Sequence, residues 1–292
     1  MKARFLLIAA LFMAACQPVE DNTLIPDDVT PSGDTWTLTI QANMDNAGTK
    51  ALSLEGTALS AYWDGTESVA VYKDGTKLVS LGVTVDQSDN KHATFSGEIP
   101  SASVAEGNTL TLLIPQETWN YTGQNGKLTG DGSIEKKYDY ATATVTVNPI
   151  TSGSPVTTTV ANFKNQQSIY CFTFSGTGIT SLQDFTISSA KNGLVRQVAW
   201  GTATEEKGSI TVTTSGSGPY YVALRNSSTE ADTYSFTTTG TVNGNTDALL
   251  LGSKNIPVAA LANGKYLTAT INVTQPDFSP ASGEISSSSA VL

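Results

Sequence analysis

The sequence predicts an all-β protein built as two antiparallel β-sandwich domains. Three observations carry this. Short runs alternate β-branched or aromatic residues with polar ones, Asx-Gly dipeptides separate them, and no stretch has the period of an amphipathic helix of three turns.

The predicted strands follow in order. Residues 36–40 alternate large apolar residues with Thr, and residues 68–72, 109–114 and 142–147 repeat the pattern. Residues 169–174, 209–213, 220–224 and 266–273 continue it in the second half. The punctuation is Asp64-Gly65, Asp74-Gly75, Asn125-Gly126, Asp131-Gly132, Asn192-Gly193, Asn243-Gly244 and Asn263-Gly264, pairs that tolerate the positive φ of tight hairpins. Residues 101–106 read as a helical turn at most. Residues 148–155 hold Pro149, Gly153 and Pro155 without apolar periodicity, which suits an exposed connection between two cores. The expected domains are therefore 34–150 and 156–292.

Composition narrows the function. Only 14% of residues are charged, so the polar surface rests on Ser, Thr, Asn and Gly, as in extracellular β proteins. A net charge of −10 argues against nucleic acid as a partner, because phosphates require basic patches.

The N-terminus reads as an export signal. Lys2 and Arg4 precede an apolar run from Phe5 to Met13 that is too short to span a bilayer, and Ala14 and Ala15 lead into Cys16. This ending resembles the lipobox of bacterial lipoproteins, which implies cleavage between Ala15 and Cys16 and a diacylglycerol on the Cys16 sulfur. Residues 1–15 are then the signal peptide. Residues 16–33, rich in Pro and Asp, read as a flexible tether. Glu20 and Asp21 follow the lipid site closely, and they resemble the surface-export signal of Bacteroidetes lipoproteins. With Cys16 lipidated, Cys171 has no disulfide partner, and its strand-like setting predicts a buried, inert thiol.

Catalytic chemistry finds little material. His92, the one histidine, stands in a polar, turn-like stretch and reads as a solvated residue, not as a member of a triad. One His and one spare Cys are too few for a zinc site, and no phosphate-binding or calcium-loop spacing occurs. Glu55, Asp64, Glu67, Glu98, Glu117, Asp131, Glu135, Asp184 and Glu284 read as turn carboxylates that the sequence does not pair. The chain is expected not to be an enzyme, and to need no cofactor or metal. Trp119 with Tyr121 and Tyr138 with Tyr140 share strand faces; they read mainly as packing residues and alternatively as a glycan platform.

Two further stretches are more specific. Residues 47–54 read Ala-Gly-Thr-Lys-Ala-Leu-Ser-Leu, and residues 59–72 read Leu-Ser-Ala-Tyr-Trp-Asp-Gly-Thr-Glu-Ser-Val-Ala-Val-Tyr. Together they resemble the N-terminal domain of the fimbrillin family of Bacteroidetes, the subunits of type V pili. Residues 161–165, 218–224 and 264–270 are similar to stretches of its C-terminal half in the same order. The resemblance implies two transthyretin-like sandwich domains and export as a lipoprotein to the outer face of the outer membrane. It also implies cleavage by a trypsin-like protease after a basic residue, here between Lys50 and Ala51. That cut would release residues 16–50 with the lipid and the strand at 36–40. A neighbouring fimbrial subunit would then supply a donor strand from near its C-terminus, with residues 268–274 and 285–292 as candidates. Expected partners are other subunits, the outer membrane through Cys16, and a surface ligand. The alternative is an uncleaved surface lipoprotein that acts as a pilus anchor or glycan-binding module.

Overall fold

A computed structural model describes residues 34–44, 51–114, 118–206, 208–214 and 218–276. In chain order the first half holds β1 (Thr35–Asn43), β2 (Ala51–Glu55), β3 (Ala58–Tyr62), β4 (Ser68–Lys73), β5 (Thr76–Val85), β6 (His92–Pro100), β7 (Thr109–Ile114), β8 (Thr118–Asn120) and β9 (Ala141–Thr146). Three short strands follow, β10 (Val156–Thr157), β11 (Ala161–Asn162) and β12 (Lys164–Asn165). The second half holds β13 (Ser168–Ser175), β14 (Ile179–Ser189), β15 (Val195–Ala199), β16 (Thr202–Glu206), β17 (Ser209–Val212), β18 (Tyr220–Leu224), β19 (Asp232–Val242), β20 (Asn245–Ile256) and β21 (Tyr266–Thr274). The fold is all-β, as predicted.

The first sheet runs β10-β1-β6-β5-β4-β7-β9-β12, and β11 also pairs with β1. The stretch 156–165 joins its two ends. It runs parallel to β1 through Leu38–Val156 and Ala42–Ala161. On its other side it runs antiparallel to β9 through Lys164–Thr142, with a bridge from Thr158 to Val147. The sheet therefore closes into a ring of strands. Inside it, the indole of Trp63 meets the rings of Phe95 and Phe163 edge-on, with centroids 5.1 and 5.6 Å away.

The second sheet runs β17-β14-β19-β20-β21-β13-β18. Its core packs Phe172, Phe174, Phe185 and Phe236 edge to face. One pairing departs from the antiparallel expectation: β21 lies parallel to β13 from Ile169–Tyr266 to Ser175–Asn272. Two tight hairpins use the Asx-Gly pairs as read. Asp74-Gly75 turns β4 into β5, Asn243-Gly244 turns β19 into β20, and both residues of each pair have positive φ.

Sheet membership does not follow the expected division at 148–155. β10 to β12 belong to the first ring, which therefore reaches Asn165. In the other direction, the segment between β7 and β9 leaves the first ring and packs into the second core. Trp119, Tyr121, Ile134, Tyr138 and Tyr140 are buried there. Residues 124–126 fill the gap between the two outer strands of the second sheet. Gln124 bridges Val212 of β17, and Tyr221 of β18 donates its N–H to the Gly126 carbonyl at 2.8 Å. The Gln124 side chain donates to the carbonyls of Tyr121 and Ala223 at 2.9 and 2.7 Å and accepts the Ala223 N–H at 2.7 Å.

A second crossing runs the other way. Trp200, at the tip of the β15–β16 hairpin, has φ 53°, a conformation bulky residues rarely adopt. Its ring stands edge-on to Tyr72 at 4.6 Å, on the outer face of the first sheet. Arg225 fixes the hairpin, donating to the Gly201 carbonyl at 2.8 Å and to Gln166 Oε1 at 3.2 Å.

Gln124→Ala strips three backbone groups of their side-chain partner in a buried seam. Orphaned buried groups cost about 1–3 kcal/mol each before relaxation, so a loss of roughly 2–4 kcal/mol in urea unfolding is expected. Asp232 supplies a pH test. Burial raises its carboxyl, but hydrogen bonds from Ser189, Asn226 and the N–H groups of Thr233 and Lys191 outweigh this and hold it below its usual value. A carboxyl lowered by folding stabilises above its unfolded value and loses that contribution as pH falls through its folded value. Asp232→Asn should therefore flatten the loss of stability between about pH 5 and pH 2 relative to the parent chain, as read by thermal melts.

Candidate functional site: the seat of the first strand

Trp36, Leu38 and Ile40 alternating with Thr make β1 a strand with one face for the core. Leu38 and Ile40 are fully buried and Ala42 nearly so, while Thr37, Thr39 and Gln41 point away from the core. Met44, just past the strand, is buried too. The ring holds β1 from both sides. All nine residues pair antiparallel with β6, setting Leu38 opposite Gly97, Ile40 opposite Phe95 and Ala42 opposite Ala93. The other wall is the stretch 156–162, which runs parallel to β1. The two walls therefore run in opposite directions with β1 between them.

The magnitudes show what the seat is worth. Burying Leu38 and Ile40 contributes about 3–6 kcal/mol, before any backbone bond is counted. That compares with a whole-domain stability of about 5–15 kcal/mol. Without β1, or something in its place, the ring lacks the surplus to hold its shape. Its two walls would also present rows of unpaired N–H and C=O groups beside an apolar slot over Trp63 and Phe95.

The site residues named from the sequence fall as follows. Ala15, Cys16 and Lys50 lie outside the described residues. Ala51 opens β2, paired with Tyr62 of β3. That hairpin bridges the two cores, with Leu52 buried in the second and Ala61 packed against both. Of the donor candidates, 268–274 is already a stave of the second sheet, between β13 and β20, with Ile271 and Val273 buried. Taking it out would unmake that sheet, so it is not a spare strand. The other candidate, 285–292, lies outside the described residues.

His92 heads β6 on the surface, its Nδ1 3.0 Å from Asp89, which agrees with a solvated role. Cys171 is buried in β13. Among the carboxylates Glu67 stands out: it is buried and accepts the N–H groups of Asp64 and Gly65 at 2.9 and 2.8 Å. Burial pushes its carboxyl above the usual range. It caps the Asp64-Gly65 turn. Glu117 and Glu284 lie outside the described residues. No group of three or more His, Cys, Asp or Glu residues is placed to hold a metal among the described residues. Trp119, Tyr121, Tyr138 and Tyr140 are buried in the second core and offer no face to a sugar.

Sequence reading missed the second wall. Val156, Ala161 and Phe163 do point into the first core, but Pro155 and the Thr run at 157–159 disguise the stretch as a connection.

The geometry defines a class: an all-β chain whose two main sheets interlock, the first of them closed by β1. No protein-family model matches the chain, and no curated protein does. Solved structures that align with it include a Bacteroides uniformis protein provisionally assigned to cell adhesion. It is 16% identical, with 83% of this chain and 99% of that chain covered, at a TM-score of 0.41. The tip fimbrial protein Mfa3 of Porphyromonas gingivalis, truncated at its C-terminus, is 10% identical over 77% of this chain and 81% of its own, at 0.37. A fimbrial protein of Bacteroides ovatus is 16% identical over 80% of this chain and 48% of its own, at 0.36.

Ile40→Ala leaves a cavity beside Phe95. A loss of about 2–5 kcal/mol is expected in equilibrium unfolding. Ile40→Asp should prevent closure of the first ring, read as loss of the near-ultraviolet signal of Trp63.

Proposed function

We propose that the chain is a structural subunit, stalk or tip, of a cell-surface fimbria that supports adhesion. In this reading it crosses the inner membrane as a lipoprotein, is cut between Ala15 and Cys16, and reaches the outer face of the outer membrane on its lipid. A second cut between Lys50 and Ala51 frees the segment that carries both Cys16 and β1. β1 then leaves, and a neighbouring subunit lays a strand between β6 and the stretch 156–162. Assembly is β-augmentation repeated head to tail, which builds a fibre and not a closed ring of subunits. The role is non-enzymatic, and its partners are other fimbrial subunits.

One observation supports this above the others. The strand on the N-terminal side of the proposed cut, β1, is the one that closes the first sheet, filling it with two large and one small apolar side chain. A donor for that slot needs the same inward pattern at every second residue.

A second reading has its own support. With β1 seated, the ring is complete and needs no partner. An uncut chain would then be a surface lipoprotein that ends a fibre at the cell.

N-terminal sequencing of subunits in sheared surface fibres separates the two. Ala51 as the first residue is expected; a lipidated Cys16 within the fibre would overturn the subunit reading in favour of the anchor. Lys50→Gln should leave the chain at the membrane and outside the polymer, seen as loss of its ladder on mildly denaturing gels.

A further inference from the structure

The cut proposed above creates a new amino group at Ala51, and we infer that Glu135 is its receptor. This deepens the proposed function and rests on its reading that the bond after Lys50 is cleaved.

β2 and β3 form a hairpin in register from Ala51–Tyr62 to Glu55–Ala58. In such a ladder alternate residues direct their N–H groups away from the partner strand. Leu52 is one of these, and its N–H is donated to Glu135 Oε1 at 3.0 Å. The carboxylate therefore already caps the start of β2. The nitrogen of Ala51 is one residue back, about 3.5 Å of extended chain away. A cut there converts a neutral amide, whose N–H lies on the Tyr62 side of the ladder, into an ammonium with three hydrogens that is free to turn toward Glu135.

The receptor is held in place. Glu135 belongs to a helical turn, Ile134–Tyr138, whose buried Ile134 and Tyr138 anchor it in the second core. Ser133 caps the turn by accepting the Lys136 N–H. Glu135 takes part in none of the ion pairs found among the described residues. Burial raises the nearby Asp64 carboxyl, but hydrogen bonds from Thr66 and, after them, the charge of Lys136 hold it low, so Lys136 is directed to Asp64. The site thus holds a carboxylate fixed on the second core, one residue along the chain from the point where a cation would appear.

The consequence is a latch between the two units. Leu52 is buried in the second core, while β3 leads directly to Trp63 in the first. An ion pair at Ala51 would fasten the hairpin when β1 departs, so the freshly cut end stays folded back and clear of the emptied slot.

The test makes the new amine without relying on the natural cut. Residues 47–50 of the secreted chain are replaced by a factor Xa recognition tetrapeptide, so that cleavage leaves Ala51 first with β1 still seated. Brief acetylation with an N-hydroxysuccinimide ester, read by mass spectrometry, reports how available the Ala51 amine is. It should react about three- to tenfold more slowly than in the Glu135→Gln chain cut in the same way, because an adjacent carboxylate favours the charged, unreactive form. Glu135→Asp, which keeps the charge, should retain part of the protection even if the Gln variant folds poorly. Cleavage should also raise the melting temperature of the parent relative to Glu135→Gln by more than the two differ uncut. Equal acetylation rates in all three chains would overturn the assignment. The sequencing of natural fibres decides separately whether Lys50 is the physiological site.

Discussion

A sheet that closes on itself leaves no backbone edge unpaired, and in this protein closure of the first sheet runs through β1. Every other stave of that ring is joined to its neighbours through the folded body. Between β1 and the next stave, β4, the chain passes through the β2–β3 hairpin, and among the described residues β1 is held in the ring by side-chain burial and its two ladders. The core depends on it because Trp63, Phe95 and Phe163 pack in the space that Leu38 and Ile40 cover. Hydrogen-bond satisfaction and apolar burial thus converge on one short segment, and replacing it by an equivalent strand preserves both.

The second sheet solves its closure differently. Its gap is filled by residues 124–126, which come from between β7 and β9 of the first ring. In return, the β15–β16 hairpin reaches back to place Trp200 on Tyr72. Neither unit is finished without a piece that the other carries, and a division by chain position at 148–155 misses this because both exchanged pieces lie away from it.

Much of the fold was legible where one face of a strand is buried. The alternation at 109–114, 220–224 and 266–273 marked strands close to those observed, and Asp74-Gly75 and Asn243-Gly244 marked true hairpins. The strands that escaped are those whose inward residues are sparse or whose outward face is Thr and Ser. β19, with its run of Thr at 237–239, and the second wall at 156–162 are examples. Pairing was not legible at all. Nothing in 266–273 says it would lie parallel to β13, because the inward–outward alternation of a strand is the same for either partner direction. Of the candidate site, the sequence marked the strand but not the groove walls, since walls are made of backbone and register. Glu135 looked like any turn carboxylate until Leu52 was seen to donate to it.

The interlock of the two sheets also bears on how the molecule would carry load. Hydrogen bonds in an antiparallel ladder stand perpendicular to the strands, so tension along β1 strains the whole row together instead of opening it bond by bond. Residues 124–126 are held on both sides by outer strands of the second sheet, through a parallel bridge to Val212 and the Tyr221–Gly126 hydrogen bond. Tension entering one sheet is passed to the other through side-by-side strands in shear, and the two units resist stretching as a single mechanical element.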